Sequence, residues 1–331
     1  MASVAEGCQH PRMGEMIDGV WRTGWYDPDA RGAFQRPATK FRARLGGENG
    51  FPVETGRYHL YVSYACPWAH RLLITRAVRG LEGAVGVTAV DPRMGEDGWS
   101  FSAAEPDPLH GAPLLQDVYR RADPKYTGRV TVPVLWDKVK GTIVNNESRE
   151  LMRMFDLDMS ALATSKTTLA PASLLPAIDE TLDAIYRPVN NGVYRAGFAT
   201  SQEAYDEAVR ELFAALDHWD GVLGRQRYLC GDTFTEADVA MFTTLVRFDV
   251  VYYAHFKCNV RRIADYANLS GYVRDIYQMP AVKKTCRLDQ IKVHYYWSQT
   301  TVNPHRIVPL GPTFDLDAPH DRARLGGAPI E

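Results

Sequence analysis

The chain has 331 residues, 45% hydrophobic and 24% charged, enough at the usual ~100–200 residues per domain for two domains with cores of their own. Its 38 Lys and Arg stand against 40 Asp and Glu, a net charge of −2, which argues against nucleic-acid or anionic-membrane binding driven by a basic field. No stretch approaches the ~20 apolar residues that span a bilayer, and the opening MASVAEGCQHPRMGEMIDGV lacks the basic-then-apolar order of a secretory leader. The expectation is a cytoplasmic protein with no nucleic-acid or membrane partner.

Residues 1–56 are rich in Gly, Pro and charge, with isolated aromatics at Trp21, Trp25, Phe34 and Phe41, and read as an irregular N-terminal extension. Arg57 to Tyr64 alternates and is aromatic and β-branched, a strand pattern. Cys66-Pro67-Trp68-Ala69 follows, then Leu72, Leu73, Ile74, Ala77 and Val78 at the spacing of one buried helix face. Val85 to Val90 predicts a second strand, parallel to the first if the helix is its crossover. Residues 91–128, dense in Pro, Gly and Asp, read as a long insertion. Arg129 to Trp136 is strand-like but holds Pro133, which implies either a sheet edge or a special backbone geometry. Thr142 to Val144 is a short strand, Asn145 to Ser148 a polar turn, and Arg149 to Phe155 a helical run. This order outlines an α/β thioredoxin-like domain over 57–160.

Beyond it the pattern turns helical, so 161–300 is predicted to be all-α. Ile178, Leu182 and Ile185 recur at helical spacing, as do Val209, Leu212, Phe213 and Leu216. Thr235 and Asp238 mark a capped helix start. Residues 301–331 form a Pro- and Gly-rich tail.

The five cysteines are Cys8, Cys66, Cys230, Cys258 and Cys286. The odd count and the lack of Cys-x-x-Cys spacing argue against a disulfide framework or a structural zinc. Cys66 stands out because Pro67 places it where a strand passes into a helix. Free amides and the positive helix end stabilise an anion there, so its thiol is expected to titrate below the ordinary ~8.5, with Arg71 adding positive potential. The alternative is a cysteine that only packs. Ala69 occupies the position of a resolving thiol, so an external thiol must complete any exchange, which points to glutathione as co-substrate.

Other candidates keep two readings each. Val132-Pro133 is either a cis bond facing the thiol or an ordinary edge proline. Glu147-Ser148 is either an anion-holding helix start or only a cap. Trp99 in its polar loop is expected to cover something. Tyr194, Tyr252, Tyr253, Tyr295 and Tyr296, with His294 beside the last pair, either stack and donate to an aromatic substrate or simply pack.

Longer motifs add a resemblance. Gly32-Ala-Phe-Gln-Arg36 with Phe41-Arg42, Cys66-Pro-Trp-Ala69, Arg129-Val-Thr-Val-Pro-Val-Leu-Trp-Asp137, Asn146-Glu-Ser148, Asn190-Asn-Gly-Val-Tyr194 through Ser201, Arg247-Phe-Asp249 and His255-Phe-Lys257 together resemble the glutathionyl-hydroquinone reductases, the Xi class of glutathione transferases. The resemblance implies a glutathione transferase fold, a homodimer, no bound cofactor, and reduction of glutathionyl-hydroquinones with release of glutathione disulfide. Carried over by position, it makes Cys66 the nucleophile and Tyr194 the proton donor or acceptor. Tyr252 and Tyr295 would lie near the thiol, with Tyr253 and Tyr296 the neighbouring alternatives. Trp99, Arg129 and Val132 would bind glutathione, and Glu147 and Ser148 its γ-glutamyl end. The competing readings are an omega-like thioltransferase or dehydroascorbate reductase, and a non-catalytic binding protein on the same fold.

Overall fold

The computed structural model describes residues 14–24, 26–46 and 50–327; Cys8 and Trp25 lie outside them. The N-terminal extension carries more regular structure than its composition suggests. Strands β1 (Glu15–Ile17) and β2 (Val20–Arg22) form a hairpin. Its Asp18-Gly19 turn has φ of 49° and 75°, the left-handed pair that two-residue hairpins require. A Cβ on Gly19 would meet the Pro124 carbonyl at 1.9 Å. Three-residue strands are too short to show an alternation, which is why composition hid them.

The main sheet is built from β3 (Tyr58–Val62), β4 (Val85–Ala89), β6 (Val134–Asp137) and β7 (Thr142–Asn145), in the order β4-β3-β6-β7. β3 runs parallel to β4 and antiparallel to β6, and β6 antiparallel to β7. Helix α1 (Pro67–Val78) is the crossover from β3 to β4, and α3 (Ser148–Arg153) follows β7.

Three expectations change here. The segment read as one strand from Arg129 is two: β5 (Gly128–Arg129) pairs with β1, and β6 begins only after a cis Val132–Pro133 bond. Pro133 therefore precedes an interior strand, not an edge. The segment 91–128 contains helix α2 (Leu115–Ala122), which completes the thioredoxin order; only eight residues long, it is masked by the Pro, Gly and Asp around it. And α1 is buried nearly all round, His70, Arg71 and Thr75 included, because it lies between the sheet and the helical half.

The helical half comprises α4 (Leu175–Ile185), α5 (Gly192–Gly197), α6 (Gln202–Leu223), α7 (Glu236–Leu245), α8 (Tyr253–His255), α9 (Leu269–Tyr277), α10 (Pro280–Lys283) and α11 (Leu288–Ser298). The start of α7 uses the residues expected. Thr235 N–H and Oγ1 donate to Asp238 Oδ2 at 2.9 and 3.0 Å, while Oδ1 accepts from Leu229 N–H and the Tyr272 hydroxyl. Wider π-helical turns at Tyr186–Asn190 and Phe248–Tyr252 precede α5 and α8, bringing in two tyrosines of interest. Leu60, Val134, Leu135 and Phe155 belong to the sheet core. Ile74, Val78 and Met152, though they come from the first half, pack with Leu182, Leu212 and Phe242 in the helical core. That shared packing fixes the two halves against each other. Among the described residues no helix is long and apolar enough to cross a membrane.

Candidate active site

Cys66 is the residue that caps α1. Its backbone is extended (φ −78°, ψ 122°) and Pro67 occupies the first turn, so the amides of Trp68 and Ala69 are left free and bond the sulfur. Across from it the cis bond turns the Val132 carbonyl inward, 3.6 Å from Sγ, where it accepts from the thiol. This decides between the two readings of Pro133 in favour of the cis geometry. The expected fall in the thiol pKa is corrected. Burial pushes the Cys66 thiol up, and the amide of Ala69, the Arg247 guanidinium, the amide of Trp68 and the Arg36 guanidinium only partly pull it back. A thiol whose proton rests on a carbonyl is held in its neutral form.

The sulfur faces a cavity of about 380 Å³, large enough for a small organic ligand. Of the residues singled out from the sequence, Trp99, Arg129, Val132, Glu147, Ser148, Tyr194 and Tyr295 all line it with Cys66. Tyr252 does not; it is fully buried behind Tyr295.

One wall is made of short polar segments. Glu147 caps α3, accepting from Arg149 N–H and from the Thr39 hydroxyl, both at 3.3 Å. Ser148 opens that helix and is buried. Arg129 lies over the Tyr26 ring at 4.5 Å and donates to the Gly24 carbonyl. The segment around Pro133 and the one ending at Ser148 are tied together by Tyr119 of α2. Its hydroxyl donates to the Thr131 carbonyl at 2.8 Å and accepts from Asn146 Nδ2 at 3.0 Å. Because the single phenolic proton is spent on Thr131, Asn146 is oriented with its amide nitrogen toward Tyr119.

The opposite wall is aromatic. The Tyr194 hydroxyl is 2.6 Å from that of Tyr295, which is 3.0 Å from that of Tyr252. Burial raises all three phenols, so they stay protonated at neutral pH. Of the alternatives, Tyr296 packs on the His255 ring and Tyr253 is half-buried; neither is in the hydroxyl chain. Trp99 does cover something: it stacks on His294, ring centroids 4.7 Å apart.

Sequence reading passed over Arg36, Trp68 and the two asparagines before Gly192 as site components. Arg36 lies over the rings of Trp68 and Tyr194 at 5.0 and 4.8 Å, its Nε held by Asn191. Arg71, expected to add positive potential near the thiol, stacks on Trp68 at 4.5 Å and is held by Asn190; burial lowers it to about 10, so it remains a cation. The Asn190-Asn191 pair was the available signal, since adjacent amides before a small helix need partners.

Comparison with known proteins bears on this arrangement. Residues 65–157 match the glutathione S-transferase N-terminal domain and residues 202–275 its C-terminal domain. The chain is 51% identical to the glutathionyl-hydroquinone reductase YqjG of Escherichia coli, over 94% of this chain and 98% of that one. It belongs to the glutathionyl-hydroquinone reductase family, the Xi class of glutathione transferases. A second member of the reductase family, PcpF of Sphingobium chlorophenolicum, is 49% identical over 92% of this chain and 98% of its own. The structure of a Xi-class transferase from Natrialba magadii superposes with a TM-score of 0.91 at 52% identity, covering 97% of this chain and 99% of that one. In the reductase family the glutathione-bound structure of YqjG superposes at 0.86 with 48% identity, covering 93% and 99%.

Proposed function

We propose that this enzyme reduces glutathionyl-hydroquinones to hydroquinones with glutathione as co-substrate, by monothiol exchange at Cys66. The observation that carries the reading is one thiol and one chain of tyrosine hydroxyls opening on the same cavity. Glutathione would lie along the polar wall, its γ-glutamyl end at Glu147 and Ser148, its backbone on Val132 and Arg129, with Trp99 beside it.

In the first step the Cys66 thiolate attacks the glutathionyl sulfur. The sulfur–aryl bond breaks, its electron pair stays on the ring carbon, and Tyr194 supplies the proton to that carbon as the hydroquinone leaves. Tyr295 and Tyr252, hydrogen-bonded in series behind it, stabilise the tyrosinate so formed. In the second step a glutathione thiolate attacks the Cys66–glutathione disulfide, releasing glutathione disulfide and restoring the Cys66 thiolate. Ala69 in place of a resolving cysteine makes that second, external thiol necessary. The protons balance: one moves from Tyr194 to the product, and one from the incoming glutathione restores Tyr194.

The aromatic wall favours a ring over dehydroascorbate as the acceptor. We place the enzyme in the cytoplasm as a homodimer associating largely through its helical half. The test is turnover of a glutathionyl-hydroquinone by Cys66→Ala, with dehydroascorbate and a protein–glutathione disulfide as parallel substrates. Loss of turnover is expected. Near-normal turnover by Cys66→Ala overturns the scheme, and a wild-type preference for either parallel substrate overturns the assignment of the quinol.

A further inference from the structure

Arg247 of the Arg247-Phe-Asp249 motif is not used by the mechanism above, yet it is wholly buried. It follows α7 and reaches across to the sheet half. Nε donates to the Ala65 carbonyl at 2.9 Å and Nη2 to the Tyr64 carbonyl at 2.9 Å. Nη1 donates to the Thr243 carbonyl at 2.6 Å and lies 3.0 Å from His70 Nδ1.

The histidine can be assigned. A guanidinium only donates, so His70 Nδ1 carries a lone pair and Nε2 the proton. Nε2–H donates to Thr285 Oγ1 at 2.8 Å, and Thr285 donates onward to the Val282 carbonyl at 2.6 Å. Burial and Arg247 together hold His70 well below its ordinary pKa, so it is neutral. Asp249, two residues on, does not pair with it: its carboxylate accepts from the amides of Ile263 and Ala264. Every hydrogen-bond partner of this buried cation is therefore uncharged. Among the described residues no carboxylate lies within 4.0 Å of it, an expensive arrangement unless an anion forms nearby.

The two carbonyls it holds belong to the residues immediately before Cys66. We propose that Arg247 is the positioning residue of the nucleophile, fixing the Tyr64–Ala65 turn and supplying the positive charge against which the Cys66 thiolate forms. This rests on the reading of Cys66 as the nucleophile.

The other groups around that sulfur are the cations Arg36 and Arg71, the hydroxyls of Tyr194 and Tyr252, the Val132 carbonyl, the amides of Trp68 and Ala69, and neutral His70 on the same helix. Arg36 is partly exposed and Arg71 is stacked on Trp68. Arg247 alone combines full burial with bonds to the backbone that carries the sulfur, so its charge is the least screened.

The test uses the full chain and reads the rate of Cys66 alkylation by iodoacetamide against pH, site-resolved by mass spectrometry, beside the pH profile of kcat/KM for a glutathionyl-hydroquinone. Arg247→Lys keeps the charge, and the Cys66 pKa should stay within about half a unit of wild type. Arg247→Gln keeps donors without charge. Its Cys66 pKa should rise by about one unit or more, lowering thiolate and kcat/KM ~10-fold at neutral pH, with recovery as pH rises past the new value. A rise of a unit or more in the Lys variant, or a wild-type thiol pKa in the Gln variant, overturns the proposal. A loss of kcat/KM that is the same at every pH also overturns it, because it marks a scaffold role alone. If Gln does not fold, the Lys arm still decides. Cys66→Ala separates the two levels: if it retains turnover the underlying reading fails, whereas if it is inactive and the Arg247 variants keep the wild-type thiol pKa, only this inference fails.

Discussion

The two walls of the cavity are made in different ways. On the sheet side the polar groups come mostly from backbone and short caps: the amides that follow Cys66, the Val132 carbonyl turned by a cis bond, and Glu147-Ser148 at the start of α3. On the helical side they are side-chain ends brought together from α5, the turn before α8, and α11. The backbone wall needs only the right turn at each place. The side-chain wall needs three helices packed in register, so it depends on the whole core behind it. The first suits a constant peptide-like co-substrate, the second a ring whose substituents vary.

The sharpest way to separate the walls is to remove one chemical group from each. Cys66→Ala should reduce glutathionyl-hydroquinone turnover to the uncatalysed rate, measured as hydroquinone released. Tyr194→Phe should slow hydroquinone release by ~10²-fold, the scale of a lost proton donor. The smaller reductase signal should coincide with a glutathione adduct still forming on Cys66, detectable by mass; an unchanged rate would take the aromatic wall out of the chemistry.

Tyr119→Phe probes how the backbone wall is held. It leaves the Thr131 carbonyl and Asn146 Nδ2 without their partner, at a cost of ~1–3 kcal/mol. The KM for glutathione should rise ~10-fold with kcat nearly unchanged. An unaltered KM would mean that the segments on either side of Tyr119 keep their positions without it.

The smallest effect on chemistry is expected from Asp238→Ala, far from the cavity but central to the side-chain wall's support. It strands the amides of Leu229 and Thr235 and the Tyr272 hydroxyl in the core, so the folded state should lose about 3–5 kcal/mol, read by denaturant titration. Activity per folded molecule should hold. If kcat falls instead while stability holds, the helical wall is coupled to α7 more directly than its packing implies.

The same division runs through what could be read in advance. The candidate thiol, the missing second cysteine in its motif and the helix starts at Cys66, Ser148 and Thr235 were legible because each is a local pattern of two to four residues with a local physical cause. The hairpin at Asp18-Gly19 and helix α2 were not, since both are short and lie in stretches rich in helix- and strand-breaking residues. Missing α2 meant missing Tyr119. The expected fall in the thiol pKa fails for another reason: the helix start is read correctly, but burial, set by segments from elsewhere in the chain, outweighs it.

By itself, then, the order of residues determined that a strand passes into a helix at Cys66, that its motif holds no second thiol, and which family's motifs the chain carries. Only the tertiary structure decided that Tyr252 and Tyr295 rather than their neighbours join Tyr194, that Asn190 and Asn191 hold Arg71 and Arg36 around Trp68, and that Arg247 reaches the turn before Cys66. The physical reason is range. Capping, turn geometry and periodicity act over a few residues, whereas a hydroxyl chain or a buried charge is set by side chains that meet only after the two halves have packed.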